Sequence, residues 1–320
     1  MKRTTLLASI SCALVCFAAY GQQYPTRPIR VVVPYPPGGG IDIVMRAIHV
    51  ALSERLRQPI VIDNRGGATG AIGTELVARA VPDGYTLLAH TSAGLTIAPH
   101  LNAHSRYDTI RDFAPITLAA TSPFVLVVHP QIAASSVPQL IALAKSRPGE
   151  LNYSSSGNGS SAHLAGLLLC KLASVRLVHV PYKGGGPAVA ALVAGQVQTR
   201  FSSIPPAMAH VKSGRLRALA TTGAARFGLL PDLPTVADSL PGFVVDSWSA
   251  ILAPAGTSPV IVSKLNSEIV AVLQTADAKA RLNADGSEPV GSTPARLAQT
   301  MKTDLARWGT LVRETGARND

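Results

Sequence analysis

With 320 residues, 47% of them hydrophobic and 15% charged, the chain is long enough for two packed domains and too apolar for intrinsic disorder. Its formal charge of +11 raises the question of a nucleic-acid partner. The basic residues are scattered singly, without runs interleaved with aromatics, so no nucleic acid is expected.

Lys2 and Arg3 precede an apolar run from Leu6 to Ala19, which is short for a bilayer span, and Ala19-Tyr20-Gly21 supplies small residues where a signal peptidase reads. Residues 1–21 are therefore expected to be a cleaved signal peptide and the mature protein to be periplasmic; a buried N-terminal helix or a membrane anchor is the alternative. Val15 before Cys16 and the early position of Cys12 argue against lipidation. Loss of Lys2 and Arg3 with the leader lowers the charge from +11 to +9 and leaves Cys170 as the sole cysteine, inside the apolar run Leu167-Leu168-Leu169-Cys170, where a small buried core residue is expected.

The mature chain alternates β-branched runs with amphipathic ones. Strands are predicted at Ile29 to Val33, Ile60 to Asp63 and Tyr85 to Ala89, separated by helices at Ile43 to Leu56 and Gly70 to Ala80; this βαβαβ order predicts a parallel sheet covered by helices on both faces. A long loop through Pro99 to Arg111 leads to two β-like runs, Ile116 to Ala120 and Phe124 to Val128, where the chain is expected to cross to a second lobe. That lobe repeats the theme, with helices at Val137 to Ser146, Ala162 to Ala173, Pro187 to Val193 and Pro205 to Lys212 between strands at Leu151 to Ser154, Val175 to Val180, Val197 to Phe201 and Leu216 to Thr221. A strand from Val244 to Leu252 returns to the first lobe, and the tail is helical over Pro259 to Leu273 and Pro294 to Thr315, each with Ser or Thr just before its Pro. The expected domains are one discontinuous lobe of residues 22–121 and 250–320 and a second lobe of residues 122–249, joined by a two-crossing hinge with a ligand cleft between them.

Three Gly- or Ser-rich loops fall between a strand and a helix, at the carboxyl ends of strands where open sheets bind ligands and where helix N-termini attract anions. The first is Val33-Pro34-Tyr35-Pro36-Pro37-Gly38-Gly39-Gly40-Ile41-Asp42, which reads as an anion cradle or as a tight turn without a ligand. The second is Tyr153-Ser154-Ser155-Ser156-Gly157-Asn158-Gly159-Ser160-Ser161-Ala162-His163. Ser160 and Ser161 read as ligand groups or as plain helix caps, and His163 as a cleft residue or a structural histidine. The third, Val180-Pro181-Tyr182-Lys183-Gly184-Gly185-Gly186-Pro187, nearly repeats the first in the other lobe; Lys183 is a rim charge or a solvated lysine. Between Glu150 and Asp232 there is no acidic residue, while Lys171, Arg176, Lys183, Arg200, Lys212, Arg215, Arg217 and Arg226 all fall there, so the second lobe should steer anions rather than grip them with these side chains.

Rival chemistries lack their signatures. Gly157-Asn158-Gly159-Ser160-Ser161-Ala162 matches G-x-G-x-x-A, but the acid that would hold a ribose about 20 residues on is missing. No G-x-S-x-G elbow, no clustered metal-ligand spacing and no G-K-[ST] follow from the sequence, so no catalytic residue, metal or cofactor is expected.

The order of the leader, the stretch Tyr24 to Asp42, the serine loop, Val180 to Ala188 and Ser213 to Ala220 resembles the Bug family, the TctC-like substrate-binding proteins of tripartite tricarboxylate transporters, over essentially the whole mature chain. The resemblance implies a type II periplasmic-binding-protein fold, α/β in both lobes, that closes on a small carboxylate, and it implies membrane transporter subunits as partners of a monomeric receptor. An alternative partner is a sensor kinase, and an exported hydrolase is a further alternative. On matching positions the resemblance points to Pro37, Gly38, Gly39 and Asp42, then to Ser155, Gly157, Ser160, Ser161 and His163, with Tyr182 and Lys183 nearby and Ser92 after the third strand. Tyr35, Gly40 and Ser202 complete the candidate ligand-binding set. Many relatives resemble F-D after the strand that ends at Phe201, whereas this chain has Phe201-Ser202-Ser203. An acidic partner for a ligand amine is absent there, so a plain carboxylate is expected over an amino acid.

Overall fold

The computed structural model describes residues 24–67, 70–101 and 106–317, and the expected leader at 1–21 lies outside the described residues. In chain order the first elements are β1 (Ile29–Val33), α1 (Gly40–Leu56), β2 (Ile60–Asn64), α2 (Ala71–Ala78) and β3 (Thr86–Thr91), followed by a π-helical turn (Ala93–Ile97), α3 (Ala98–Leu101) and β4 (Phe113–Pro123). Next come β5 (Val125–Val128), α4 (Val137–Ser146), β6 (Asn152–Ser155), α5 (Ser161–Ala173), β7 (Val178–Pro181), α6 (Gly185–Val193), β8 (Thr199–Ser202), α7 (Ile204–Lys212) and β9 (Arg217–Thr221). The chain ends with β10 (Asp246–Pro254), α8 (Pro259–Leu273), α9 (Ala276–Ala284), β11 (Glu288–Pro289) and α10 (Pro294–Thr315). The short elements between 93 and 101, a 3-10 turn at Val236–Asp238, α9 and β11 are the ones that periodicity alone does not predict.

Among the described residues the strands form two sheets, ordered β11-β4-β10-β3-β1-β2 and β7-β6-β8-β5-β9. Both are mixed rather than parallel, which corrects the expectation from the βαβαβ pattern. β1 pairs in parallel with β2 and β3, and β6 with β7 and β8, but β10 runs antiparallel to β3 and β4, and β5 antiparallel to β8 and β9. The cause is where the chain crosses. β4 runs the same way as β3 and passes into β5 through Phe124 alone, so β5 enters the second sheet at the end where β6 and β8 finish and must run against them. β10 re-enters the first sheet in the same manner.

The strands of the first sheet's centre are buried on both faces, which is why β1 carries Val31, Val32 and Val33 in succession, with Arg30 as its one charged residue, paired with Asp63. α1 buries Ile41, Val44, Met45, Ile48 and Leu52, the spacing of one helical face, against Val31, Leu87, Leu265 and Ile269. In the second sheet Leu126, Tyr153, Phe201 and Leu219 pack against Leu140, Leu164, Leu169 and Phe243. α10 serves both sheets: Leu297 and Met301 pack with Val32, Leu88 and Leu252, while Trp308, Leu311 and Val312 join the interior of the second. Thr293 caps α10 through the Arg296 amide at 3.2 Å, and Pro294 occupies its first turn.

The crossings are tied together at Thr222. Its Oγ1 accepts from the Phe124 amide at 2.8 Å and donates to the Val245 carbonyl at 2.6 Å, while its own amide donates to the Phe124 carbonyl at 2.9 Å. Arg307 of α10 reaches the same region, donating to the Val244 carbonyl at 2.7 Å and pairing with Asp304 at 3.0 Å.

The packing of α5 on its sheet depends on Gly166. A Cβ there would lie 2.1 Å from the ring of the fully buried Tyr153, held between strand and helix. Gly166→Ala should lower the unfolding free energy by about 1–3 kcal/mol, the usual cost of overpacking. Urea unfolding of the variant measures this, and an unchanged midpoint would mean the ring relaxes without loss.

Candidate functional site

Parallel strands with helices after them put every strand-to-helix loop at one edge of each sheet, and the two edges face each other across a cleft of about 730 Å³. The cleft walls include Tyr35 to Ile41 after β1, Thr91, Ala93 and Gly94 after β3, Ser156 and Asn158 to Ala162 after β6, Gly185 at the start of α6, and Arg200 and Ser203 at β8 and α7. Helix starts therefore line it from both sides. α1 and α6 have no side-chain cap on their first amides, whereas the Gly94 amide of the π-helical turn donates to Thr91 Oγ1 at 3.5 Å and α7 opens on Pro205 and Pro206, which carry no N–H. α5 is capped by Ser160, whose Oγ accepts from the His163 amide at 3.3 Å.

The first loop is shaped by Asp42. Its carboxylate accepts from the Gly38 amide at 2.8 Å, from Arg46 at 2.7 Å and from Asn64 at 3.0 Å, and Asn64 also donates to the Tyr35 carbonyl at 3.0 Å. Burial alone would raise the Asp42 carboxyl, but the hydrogen bonds from Arg46, Gly38 and Asn64 outweigh it and hold the group below the usual carboxylate range. Gly38 turns through φ +85° to bring its amide to Asp42, a conformation that L side chains rarely adopt. Tyr35 shares a hydrogen bond with Thr91 at 3.2 Å, joining the loops after β1 and β3.

The second loop is held from below. Ser155 donates to the Gly157 carbonyl at 2.9 Å and accepts from the Gly157 amide at 3.1 Å, while its Oγ also lies 2.6 Å from His179 Nε2. His163 Nδ1 accepts from the Gly159 amide at 3.1 Å, and its ring stacks on His179 at 3.9 Å. Both histidines are held neutral: burial lowers His163, and burial with the neighbouring His163 ring lowers His179 to about 4. Ser155 is fully buried, and neither it nor His179 lines the cleft. This Ser–His contact is thus arranged as a support of the loop, set back from the cleft.

The expected residues consequently divide. Tyr35, Pro37, Gly38, Gly39, Gly40, Ser160 and Ser161 line the cleft. Asp42, Ser92, Ser155, Gly157, His163, Tyr182, Lys183 and Ser202 do not, each for a physical reason. Asp42, Ser155, Gly157 and His163 spend their polar groups on the loops. Ser92 is buried and accepts from the Trp248 amide at 3.3 Å, tying β3 to β10. Tyr182 packs against Val125 and its neighbours, Lys183 is exposed, and Ser202 is buried in β8.

Two charged residues arrive that the loop motifs did not indicate. Arg200, expected only to steer ligands, is 5% exposed and lines the cleft. Nη1 donates to the Ser154 carbonyl at 3.3 Å and Nε has no partner among the described residues. Burial lowers its pKa to about 10, so the guanidinium remains charged at neutral pH. A signal for it exists in the sequence, since Arg200 stands inside a buried strand in a span without acids. Asp285 comes from the segment after α9 and lines a hinge-side extension of about 310 Å³ with Ser122, Ser247, Ser249 and Ser287. Burial raises its carboxyl. The expected lack of an acidic partner thus holds at position 202 but not for the cleft's surroundings.

An unpaired buried cation costs stability until an anion meets it. Arg200→Met should raise the stability of the ligand-free protein by roughly 1–4 kcal/mol, seen as a higher melting temperature; an unchanged or lower value would mean the charge is already compensated. The histidine pair adds a pH dependence. His179 has 6.5 as its ordinary value and about 4 in the fold, so the unfolded chain binds more protons between these limits and stability falls as pH drops from 6.5 toward 4. Urea unfolding across that interval should give a shallower pH slope for His179→Gln than for the parent; equal slopes would mean that His179 is not held neutral.

The family described as tripartite tricarboxylate transporter family receptor matches residues 44–317. BugT of Bordetella pertussis is 38% identical over 324 residues, 99% of each chain. An R. palustris protein solved with adipate aligns at a TM-score of 0.78 and 34% identity, over 93% of this chain and 100% of the other. The periplasmic binding protein BugD aligns at 0.74 and 32% identity, with 93% and 100% coverage. The two-sheet architecture and its loop-lined cleft are those of a periplasmic-binding-protein fold, and the chain belongs to the tripartite tricarboxylate transporter receptor family, as a solute-binding protein of the Bug type.

Proposed function

We propose that this chain is a periplasmic receptor, freed of its leader at 1–21, that closes as a monomer over a small carboxylate and delivers it to the membrane subunits of a tripartite transporter. The observation that carries this reading is the cleft lining: the uncapped starts of α1 on one side and α6 on the other, one buried arginine, and no carboxylate among the described lining residues of the main cavity. First-turn amides have no partner inside their helices, and each helix start carries a partial positive charge worth about 0.3–1 kcal/mol toward an anion. The adipate found in one relative is a ligand of this class.

Closure is proposed to pivot at Phe124 and in the segment between Thr222 and Val245. One lobe then comprises the chain up to Pro123 with the part from Asp246 onward, within a few residues of the expected 22–121 and 250–320. Binding without chemistry suits this arrangement, because backbone amides select an anionic oxygen pair and the shape of the cavity selects what is attached to it.

The test is native mass spectrometry of freshly purified protein followed by thermal-shift titration with adipate, malate, succinate and their uncharged diamides. Carboxylates should raise the melting temperature by mass action, with about 2.7 kcal/mol of added stability at a hundredfold excess over Kd. Stabilisation by the diamides and not by the carboxylates would overturn the proposal.

A further inference from the structure

With the strand-to-helix loops at the cleft, the helix-to-strand turns of the second lobe gather at its opposite pole. β5 enters the second sheet beside the cleft at Val125 and reaches that pole at Val128, which pairs with Thr199 and Arg217; Tyr153, next to Asn152 and its partner Val178, lies opposite Thr199 at the same edge. Lys145 and Arg147 stand there at the end of α4, Arg176 between α5 and β7, and Lys212, Arg215 and Arg217 from the end of α7 into β9. Arg217 is half-buried and the others are exposed. The sheet order is β7-β6-β8-β5-β9, and neighbouring strands lie about 4.8 Å apart, so these groups spread along a front of about 20 Å. Backbone contacts fix the turns in place: the Gly149 amide donates to the Arg176 carbonyl at 2.9 Å, and Arg217 donates to the Ile132 and Ala134 carbonyls at 3.2 and 3.0 Å.

Helix C-termini favour cations, so basic residues at such a pole have a local use. The first lobe shows that this use does not require unpaired charge. Its own cleft-remote pole is built from the same kind of helix ends, yet it pairs Arg55 with Glu268 at 2.7 Å and Arg27 with Asp83 at 2.8 Å, and sets Arg79 3.9 Å from Glu75. In the turns of the second pole Glu150 is the sole acid. The ion pair that the second lobe does make, Lys171 with Glu314, joins α5 to α10 outside these turns. The front also lacks the apolar centre of a protein–protein interface. Among the described residues of the second lobe, Leu172 and Val178 are the exposed large apolar side chains, and they stand singly on either side of Arg176 in the chain. Dispersed, unpaired cations without an apolar anchor suit an extended anionic surface whose groups can rearrange to meet them.

We propose that the cleft-remote pole of the second lobe docks on an anionic phospholipid bilayer, with Arg147, Arg176, Lys212 and Arg215 against the lipid phosphates. Docking by this pole keeps the cleft clear of the bilayer, because the cleft-lining loops lie at the other end of the sheet. The receptor is thereby confined to the membrane surface with its solute site open to solvent, whatever solute the cleft takes.

Co-sedimentation of the leader-free protein with vesicles tests this, comparing pure phosphatidylcholine with equal parts of phosphatidylcholine and phosphatidylglycerol. At low ionic strength the anionic vesicles should hold the protein about tenfold or more tighter. Salt at about 1 M, where the screening length is about 3 Å, should release it. Combining Arg176→Glu, Lys212→Glu and Arg215→Glu should abolish the preference. Combining Lys279→Glu, Arg296→Glu and Lys302→Glu, the same change of charge on exposed cations of the first lobe, should leave most of it. Equal binding of the parent to both vesicles, a comparison that needs no variant, would overturn the proposal. So would equal loss in the two triple variants, which would make net charge the cause instead of the pole. Indifference to both vesicles together with capture by polyglutamate would also overturn it, in favour of an acidic polypeptide partner.

Discussion

Backbone amides in the first turn of a helix have no partner inside that helix, and the molecule is organised by where those amides point. Parallel strands followed by helices force all such turns to one edge of a sheet. Two sheets built this way, placed edge to edge, concentrate partial positive charge in the gap between them. The lining around α1 and α6 leaves that charge uncapped, and Arg200 adds a full unit to it. An anionic solute is the component this field lacks.

The same geometry explains why the two hinge strands are the antiparallel ones. A chain that leaves one sheet at its cleft edge enters the other at its cleft edge, and so β5 and β10 run against the strands they join. Phe124 is the whole of one crossing, and Thr222 bonds it to Val245, the residue before β10. α10 adds a packed link outside the crossings, and its polar side is anchored where Trp248 donates to Asp304 at 2.7 Å. Asp246 lies at this junction, its carboxyl raised to about 6 by burial, with Arg307 opposing and Asp304 reinforcing the shift. The junction between the sheets therefore carries a dense polar cluster beside the one-residue link at Phe124.

Polar residues near the cleft fall into those whose hydrogen bonds are consumed by the loops and those with bonds to give. Asp42 illustrates the first kind: with Gly38, Arg46 and Asn64 on its oxygens, it sets the curvature of the glycine turn instead of facing a solute. Ser155 and the stacked His163 and His179 do the same for the serine loop. Arg200 is the second kind, buried and largely unsatisfied. Scaffold groups of this sort make the cradle rigid before the ligand arrives, which lowers the ordering cost of binding.

The alternation of apolar runs and amphipathic stretches, the Ser and Thr caps and the glycine loops were legible in the linear chain because each is a local matter of period and turn chemistry. β1, α4, α8 and α10 consequently lie where the pattern places them. Strand direction was not legible, since β5 and β10 look like any apolar run until the crossing point is known. Nor was the division of Asp42, Ser155 and His163 from Gly39, Ser160 and Ser161, because a motif names residues but not which way their hydrogen bonds are spent. Arg200 and Asp285 required the fold outright: one is a cation whose burial depends on the packing of β8 under α6, the other a residue from the tail brought to the hinge. Local sequence determined that loops suited to anions would exist; only tertiary packing decided which side chains share their cavity, because burial and distance are properties of segments far apart in the chain.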